Sequence, residues 1–204
     1  MGVSFGNYDL RQYSASLNTP INEDIAAKFS LNQYKRDGYI ENIATGSWLN
    51  EQDSYSYRGQ IRANLSDNIE INFAIDGLKS DRLSFDGEPI TNTLGTDVNT
   101  ESPARNKVSF DVDPFEEREI RGESLTIDWQ LNNDFIVKSI TGHRDSKINY
   151  INDFDFSAQS VSFLDYEDDY NQWSQELQLI SPEGKFQYVA GLYYFQQDAY
   201  TKRL

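Results

Sequence analysis

Along most of this chain polar and apolar residues alternate with a period of two, in segments that come in pairs. Between Tyr55 and Leu65 the odd positions Tyr55, Tyr57, Gly59, Ile61, Ala63 and Leu65 oppose Ser56, Arg58, Gln60, Arg62 and Asn64. After Ser66-Asp67-Asn68, the residues Ile69, Ile71, Phe73 and Ile75 alternate with Glu70, Asn72, Ala74 and Asp76. That pattern predicts a hairpin with one apolar face and one strongly polar face. Three further pairs repeat it: Asp9–Leu17 with Ile25–Gln33, Ser124–Leu131 with Phe135–Arg144, and Gln172–Ile180 with Phe186–Gln196. The expectation is about eight antiparallel strands of about nine to eleven residues each, with no helix.

The connections sharpen this picture. Within each pair the turn is short, as at Asn132-Asn133-Asp134 or Ser181–Lys185. Between pairs the links are long: Tyr34–Ser54, Lys79–Glu123 and Asp145–Asn171. Strict alternation of short and long puts every long connection at one end of an up-and-down meander, which is the asymmetry of outer-membrane barrels. A strand of that length, tilted, is long enough to cross a bilayer. Tyr55, Tyr57, Trp173, Tyr194 and Phe195 fall near the long-loop end, and Phe186 and Tyr188 near the short-turn end, as interfacial aromatic girdles do. Alternation by itself fits a soluble β-sandwich equally well. The alternative reading is therefore a soluble secreted β-sandwich or glycan-binding module.

Composition removes other classes. The 204 residues are 38% hydrophobic with a mean hydropathy of -0.68, yet 14% are aromatic, too many for a disordered chain. No run is long enough for a membrane helix, but a barrel strand needs only every second residue apolar. A net charge of -15 argues against nucleic-acid partners. With no cysteine there is no thiolate metal site and no disulfide.

Candidate chemistry is sparse. His143 is the sole histidine and lies on a predicted strand beside Arg144, so it reads as structural. No catalytic constellation, phosphate loop or metal-ligand spacing is present, so the expected activity is not enzymatic and no cofactor or metal is expected. Asp153, Asp155, Asp165, Glu167, Asp168 and Asp169 crowd the third long link. Oxygen clusters can hold calcium, but the spacing is not that of an EF-hand, and a solvated acidic loop is the favoured reading. The polar face of the sheet carries Arg58, Arg62, Glu70, Asp76, Asp128 and Glu176.

Four stretches resemble a known family. Phe5–Arg11 running on through Leu17–Asp24 is similar to an early barrel strand and turn of TonB-dependent receptors, and Phe29–Asn42 continues it in register. Lys138-Ser-Ile-Thr-Gly-His-Arg-Asp resembles a common strand of that family, with His143 where tyrosine is usual. Ser174–Lys185 followed by Tyr188–Phe195 resembles a recurrent hairpin there. The resemblance covers almost the whole chain. It implies that residues 1–204 form part of a 22-stranded transmembrane barrel, from about the second strand to about the ninth, with the signal peptide, plug domain and later strands lying elsewhere. It also implies a Gram-negative outer-membrane location, contact with outer-membrane lipid, and import of a ferric siderophore or similar scarce nutrient. The energy would come through the TonB complex, by way of the plug. Arg58, Arg62, Glu70, Asp76, Asp128 and Glu176 would then face the lumen, and the loop aromatics Tyr39, Trp48 and Phe85 become candidate ligand contacts.

Overall fold

The computed structural model describes residues 1–85, 87, 105–132 and 134–203. It is all-β. The strands are β1 (Gly2–Gly6), β2 (Leu10–Pro20), β3 (Ile25–Arg36), β4 (Ile40–Asn42), β5 (Trp48–Leu49), β6 (Gln52–Ser66), β7 (Ile69–Leu83), β8 (Lys107–Val108), β9 (Phe115–Gln130), β10 (Ile136–Asp153), β11 (Phe163–Ile180) and β12 (Val189–Arg203). Nine of them form one antiparallel meander in the order β1-β2-β3-β6-β7-β9-β10-β11-β12. The sheet is open, since β1 and β12 stand at opposite edges. A face-to-face sandwich needs a second sheet of comparable size across the core. The other sheet here is the three-stranded β5-β4-β8, so the sandwich alternative is not this fold.

Two features differ from the sequence expectation. The first is β1, a ninth strand joined to β2 by a tight turn in which Tyr8 and Asp9 both have positive φ (61° and 51°) and Leu10 N–H donates to Asn7 O. Five residues with glycine at both ends give too little alternation to be read as a strand. The second is length. β9 has 16 residues and β10 and β11 have 18 each, well beyond the expected nine to eleven. At about 3.3 Å per residue the longest reach about 60 Å, roughly twice the height of a barrel's apolar band. Their outer halves carry polar residues on both faces, which reads as loop in one dimension. Cross-strand pairs such as Lys147–Asp169 (3.1 Å) and the continuous Ile148–Asn152 ladder hold them as strands.

Register assigns every side chain to a face, because directly paired residues share one. Arg58, Asp76, Gly122, Arg144, Gln172 and Gln197 form a single row on the polar face. On the other face Ile61, Phe73 and Leu125 are neighbours in one row, and Ala63, Ile71 and Ile127 in the next. Leu17, Phe29, Ile61, Phe73 and Leu177 are all exposed there. The apolar band runs obliquely to the rows. Its edge toward the long loops lies at Tyr13 and Tyr55 on β2 and β6, drops two rows to Ile75 on β7, and reaches Leu125 on β9. A band that stays level in a bilayer must shift register this way when strands tilt by about 35–45°. Phe195 departs from the girdle expectation: it pairs with Ser174 and so belongs to the polar face.

All three long connections (37–51, 84–114 and 154–162) emerge at one end, and the four hairpin turns at Ile21–Asp24, Asp67–Asn68, Leu131–Phe135 and Ser181–Tyr188 lie at the other. Residues 86 and 88–104 of the second connection, and Asn133 of the predicted Asn132-Asn133-Asp134 turn, lie outside the described residues.

Candidate functional site

The first two long connections fold onto each other. β4 pairs antiparallel with β5 and parallel with β8, bringing residues 40–49 against 107–108. Under this small sheet lies the main buried apolar cluster among the described residues, Ile40, Leu49, Val108 and Phe110, with Tyr39, Leu83, Phe85 and Phe156 packed against it. Asn42 is fully buried and acts as a surrogate strand. Its Oδ1 accepts from Phe110 N–H (2.9 Å) while its Nδ2 donates to Phe110 O (3.0 Å) and to Asp113 Oδ1 (2.8 Å). Asp113 also accepts from the hydroxyls of Thr45 (2.7 Å) and Ser47 (2.6 Å). The third connection joins through Asp111 N–H donating to Ser157 O (3.0 Å) and an edge-on Phe110–Phe156 ring contact.

The three loop aromatics singled out by sequence take different positions. Phe85 packs on the buried cluster. Tyr39 is part of the same packing: its hydroxyl accepts from Asn50 Nδ2 (2.6 Å), and its ring lies beside Tyr8 and under the Arg36 guanidinium. Trp48 is 54% exposed on β5 and takes no part in that packing.

Below this cap the polar face carries charge in paired groups. Asp76 bridges Arg58 and Arg144, each at 3.1 Å, and Arg144 reaches it by crossing over Gly122, where a Cβ would meet the guanidinium at 2.8 Å. Asp128 pairs with Lys138 (3.2 Å) and is the register neighbour of Glu70. Glu176 accepts from Gln178 Nε2 (2.6 Å), and Arg62 borders a cleft of about 310 Å³ with Asn18, Lys28 and Asn72. All six residues predicted for this face therefore share it.

Sequence reasoning missed a second group on the same face, nearer the cap. The Tyr150 and Tyr166 rings lie 4.9 Å apart, and the Arg203 guanidinium stands 4.4 Å over Tyr166. Arg203 and Thr201 also donate to Asp168 and hold its carboxyl below the usual carboxylate range. Glu116, nearly buried, accepts from Arg82 (3.0 Å) and faces Arg118 (3.2 Å). The sequence offered only a weak signal, the rings of Tyr150, Tyr166 and Tyr170 at even positions among polar residues on both faces.

Of the six acidic residues of the third link only Asp153 and Asp155 lie together, where the Asp155 carboxylate accepts from the Ser157 hydroxyl (2.5 Å) and Ser162 N–H (2.7 Å). Asp165, Glu167 and Asp169 share the apolar face, Asp168 lies on the polar face, and Asp153 is buried at the strand end. Among the described residues no group of three or more His, Cys, Asp or Glu is placed to hold a metal ion. His143 lies between Glu123 (3.6 Å) and Asp145 (3.7 Å) on the apolar face.

No protein-family model and no curated protein matches the sequence. Solved structures do match in shape. The ferric yersiniabactin uptake receptor FyuA from Yersinia pestis superposes with a TM-score of 0.74 at 18% identity, over 97% of this chain and 30% of that one. The siderophore receptor PiuA from Acinetobacter baumannii gives 0.73 at 14% identity, over 98% and 30%. The ferric-catecholate import receptor Fiu from E. coli gives 0.65 at 10% identity, over 97% and 33%. The chain has the fold of a siderophore-receptor barrel wall. It spans about a third of the length of these receptors, as an open segment of barrel.

Proposed function

We propose that this chain is a section of the barrel of an outer-membrane receptor that imports a ferric siderophore or a similar scarce nutrient, driven through TonB. The observation that carries the reading is the receptor-barrel fold over nearly the whole chain, joined to a sheet that is apolar on one face and charged on the other. On this reading residues 1–204 are partial barrel, and the apolar band meets outer-membrane lipid. Arg58, Arg62, Glu70, Asp76, Asp128 and Glu176 line the lumen, and a plug domain encoded beyond this chain contacts TonB. The role is binding and passage, with no covalent chemistry.

The mouth of that lumen has the residue types a ferric chelate requires. Siderophores are bulky, ring-rich and usually anionic once loaded, so planar rings and guanidinium groups suit them. Tyr150, Tyr166 and Arg203 offer such a surface on the polar face, Trp48 an exposed ring above it, and Tyr39 and Phe85 set the shape of the cap. The test is uptake of radiolabelled iron, supplied as a panel of ferric siderophores, by iron-starved cells carrying the full-length protein. Uptake of at least one chelate should require both the protein and TonB. Equal uptake in cells lacking either one, across the panel, overturns the proposal.

A further inference from the structure

The polar face of the sheet is not evenly neutralised. Arg58 and Arg144 share Asp76, Arg82 and Arg118 share Glu116, Lys138 has Asp128 and Arg203 has Asp168. Arg36 donates to Asn50. Lys28 on β3 and Arg62 on β6 share this face, and their side chains make no hydrogen bond or ion pair among the described residues. In a chain of net charge -15, two unpaired cations on one face stand out.

They are also neighbours. Arg62 pairs with Ala26 and Lys28 with Gln60, which makes the two cations diagonal partners within reach of each other. Both border the cleft of about 310 Å³, whose other polar members are Asn18, Gln60 and Asn72. Those three amides likewise bond to nothing among the described residues. The two rows through the cleft continue as Ala74, Ser124 and Gly142, and as Asn72, Thr126 and Ile140. The first carboxylate along either row is Glu176 on β11, four strands from Arg62 and so about 19 Å away. Asp24 and Glu70, nearer the turns, line a separate cleft with Asn64 and Asp128. Lys28 and Arg62 therefore repel each other with no carboxylate at hand, and an anion between them removes that cost.

We infer that Lys28, Arg62, Asn18, Gln60 and Asn72 form a docking cleft for a carboxylate group on the lower wall of the lumen. A carboxylate has about four lone-pair positions, and it accepts strongly from guanidinium and ammonium groups. Each amide adds two N–H donors. The cleft occupies the last two polar-face rows of the β2–β3 hairpin, whereas Tyr150 and Tyr166 lie three rows beyond Arg58 toward the long loops. It is thus separate from the ring and guanidinium surface at the mouth. At about 310 Å³ it is at the small end of ligand pockets, sized for one acidic arm. Two sources present that arm: an Asp or Glu of the plug domain, and a carboxylate-bearing chelate passing down the lumen. The inference rests on the lumen placement proposed above.

The test uses the full-length receptor in outer membranes, with two reagents read by peptide mass spectrometry. A carbodiimide joins Lys28 to a carboxylate that touches it, and an amine-specific acetylating ester reports whether the Lys28 amine is covered. If the plug supplies the group, Lys28 couples to a plug Asp or Glu, and Arg62→Gln lowers the yield about tenfold, the scale of one charge-assisted hydrogen bond. If a free ligand supplies it, Lys28 couples to nothing in the protein, citrate as probe slows its acetylation about tenfold, and Arg62→Gln abolishes the protection. Acetylation at a rate that citrate leaves unchanged, without coupling to the plug, overturns the cleft. So does coupling only to a wall carboxylate such as Asp24 or Glu70, or an Arg62→Gln protein that behaves as the native one. Any of these results beside intact protein-dependent iron uptake removes the cleft and leaves the receptor reading standing.

Discussion

Asn42 joins two of the long connections through one buried amide, and it does so by satisfying a backbone donor and acceptor that lack a strand partner. Removing such a group leaves buried partners unpaired at about 1–3 kcal/mol. Asn42→Ala should therefore lower the stability of the loop cap by about 2 kcal/mol, read as faster amide exchange at Phe110 with the large sheet unchanged. A titrating contact lies nearby. Burial pushes the Asp153 carboxyl up to about 7, with Asp155 and Asp111 raising it further and the Phe156 N–H opposing. The docked loop thus favours neutral Asp153. Its contribution to docking is complete below the free carboxylate value near 3.8, is lost progressively as pH rises to about 7, and changes no further above that. Amide protection at Phe156 and Asp111, corrected for intrinsic exchange, should fall across that window and become flat in Asp153→Asn. A native profile without slope refutes the linkage.

At the level of elements, the two faces of β7 give the sharpest test of membrane placement. Ile71 sits in the apolar row with Ala63 and Ile127, whereas Asn72 sits with Arg62 and Thr126. Arginine at the midplane of a lipid face costs about 2–4 kcal/mol, and a lumen-facing position tolerates it. Ile71→Arg in the refolded full-length barrel should lower its unfolding free energy by that amount, and Asn72→Arg by less than about 1 kcal/mol. Equal effects would remove the assignment of faces. The pairs of strands, their turns and their faces were legible in the sequence because lipid and water impose opposite demands on alternate residues. Where that contrast stops, legibility stopped with it. Phe163–Asn171 and Asp145–Asp153 read as loop because both faces meet water, although the strands run straight through them. The candidate site was only partly visible for a related reason. Arg58 and Asp76 declare themselves as charges in a strand, but Tyr150, Tyr166 and Arg203 meet only through a pairing register that composition does not encode.

For the molecule as a whole, the two edges decide its behaviour. β1 and β12 each offer one unpaired row of backbone donors and acceptors, and every residue of β12 is exposed, Leu192 and Tyr194 on one face and Tyr193 and Phe195 on the other. Edges of that length and apolarity invite pairing with another chain. Closing the nine strands on themselves is no remedy. A barrel of about eight strands has an interior just wide enough for its own side chains. Closure here would force the Arg58–Asp76–Arg144 group, Glu116 with its arginines, and Asp168 with Arg203 into that space. Nor is the apolar face covered, since Leu17, Phe29, Ile61, Phe73 and Leu177 remain exposed across it. Uncovered patches of this kind drive association in water. The isolated 204-residue chain should therefore form oligomers or precipitate in detergent-free buffer and become dispersed in detergent, while the full-length barrel runs as a single species in the same detergent. Light scattering after size-exclusion separation distinguishes the outcomes. A monodisperse monomer of the isolated chain in plain buffer would mean that its edges and apolar face are satisfied internally, and the reading of the sheet as one section of a larger wall would have to be abandoned.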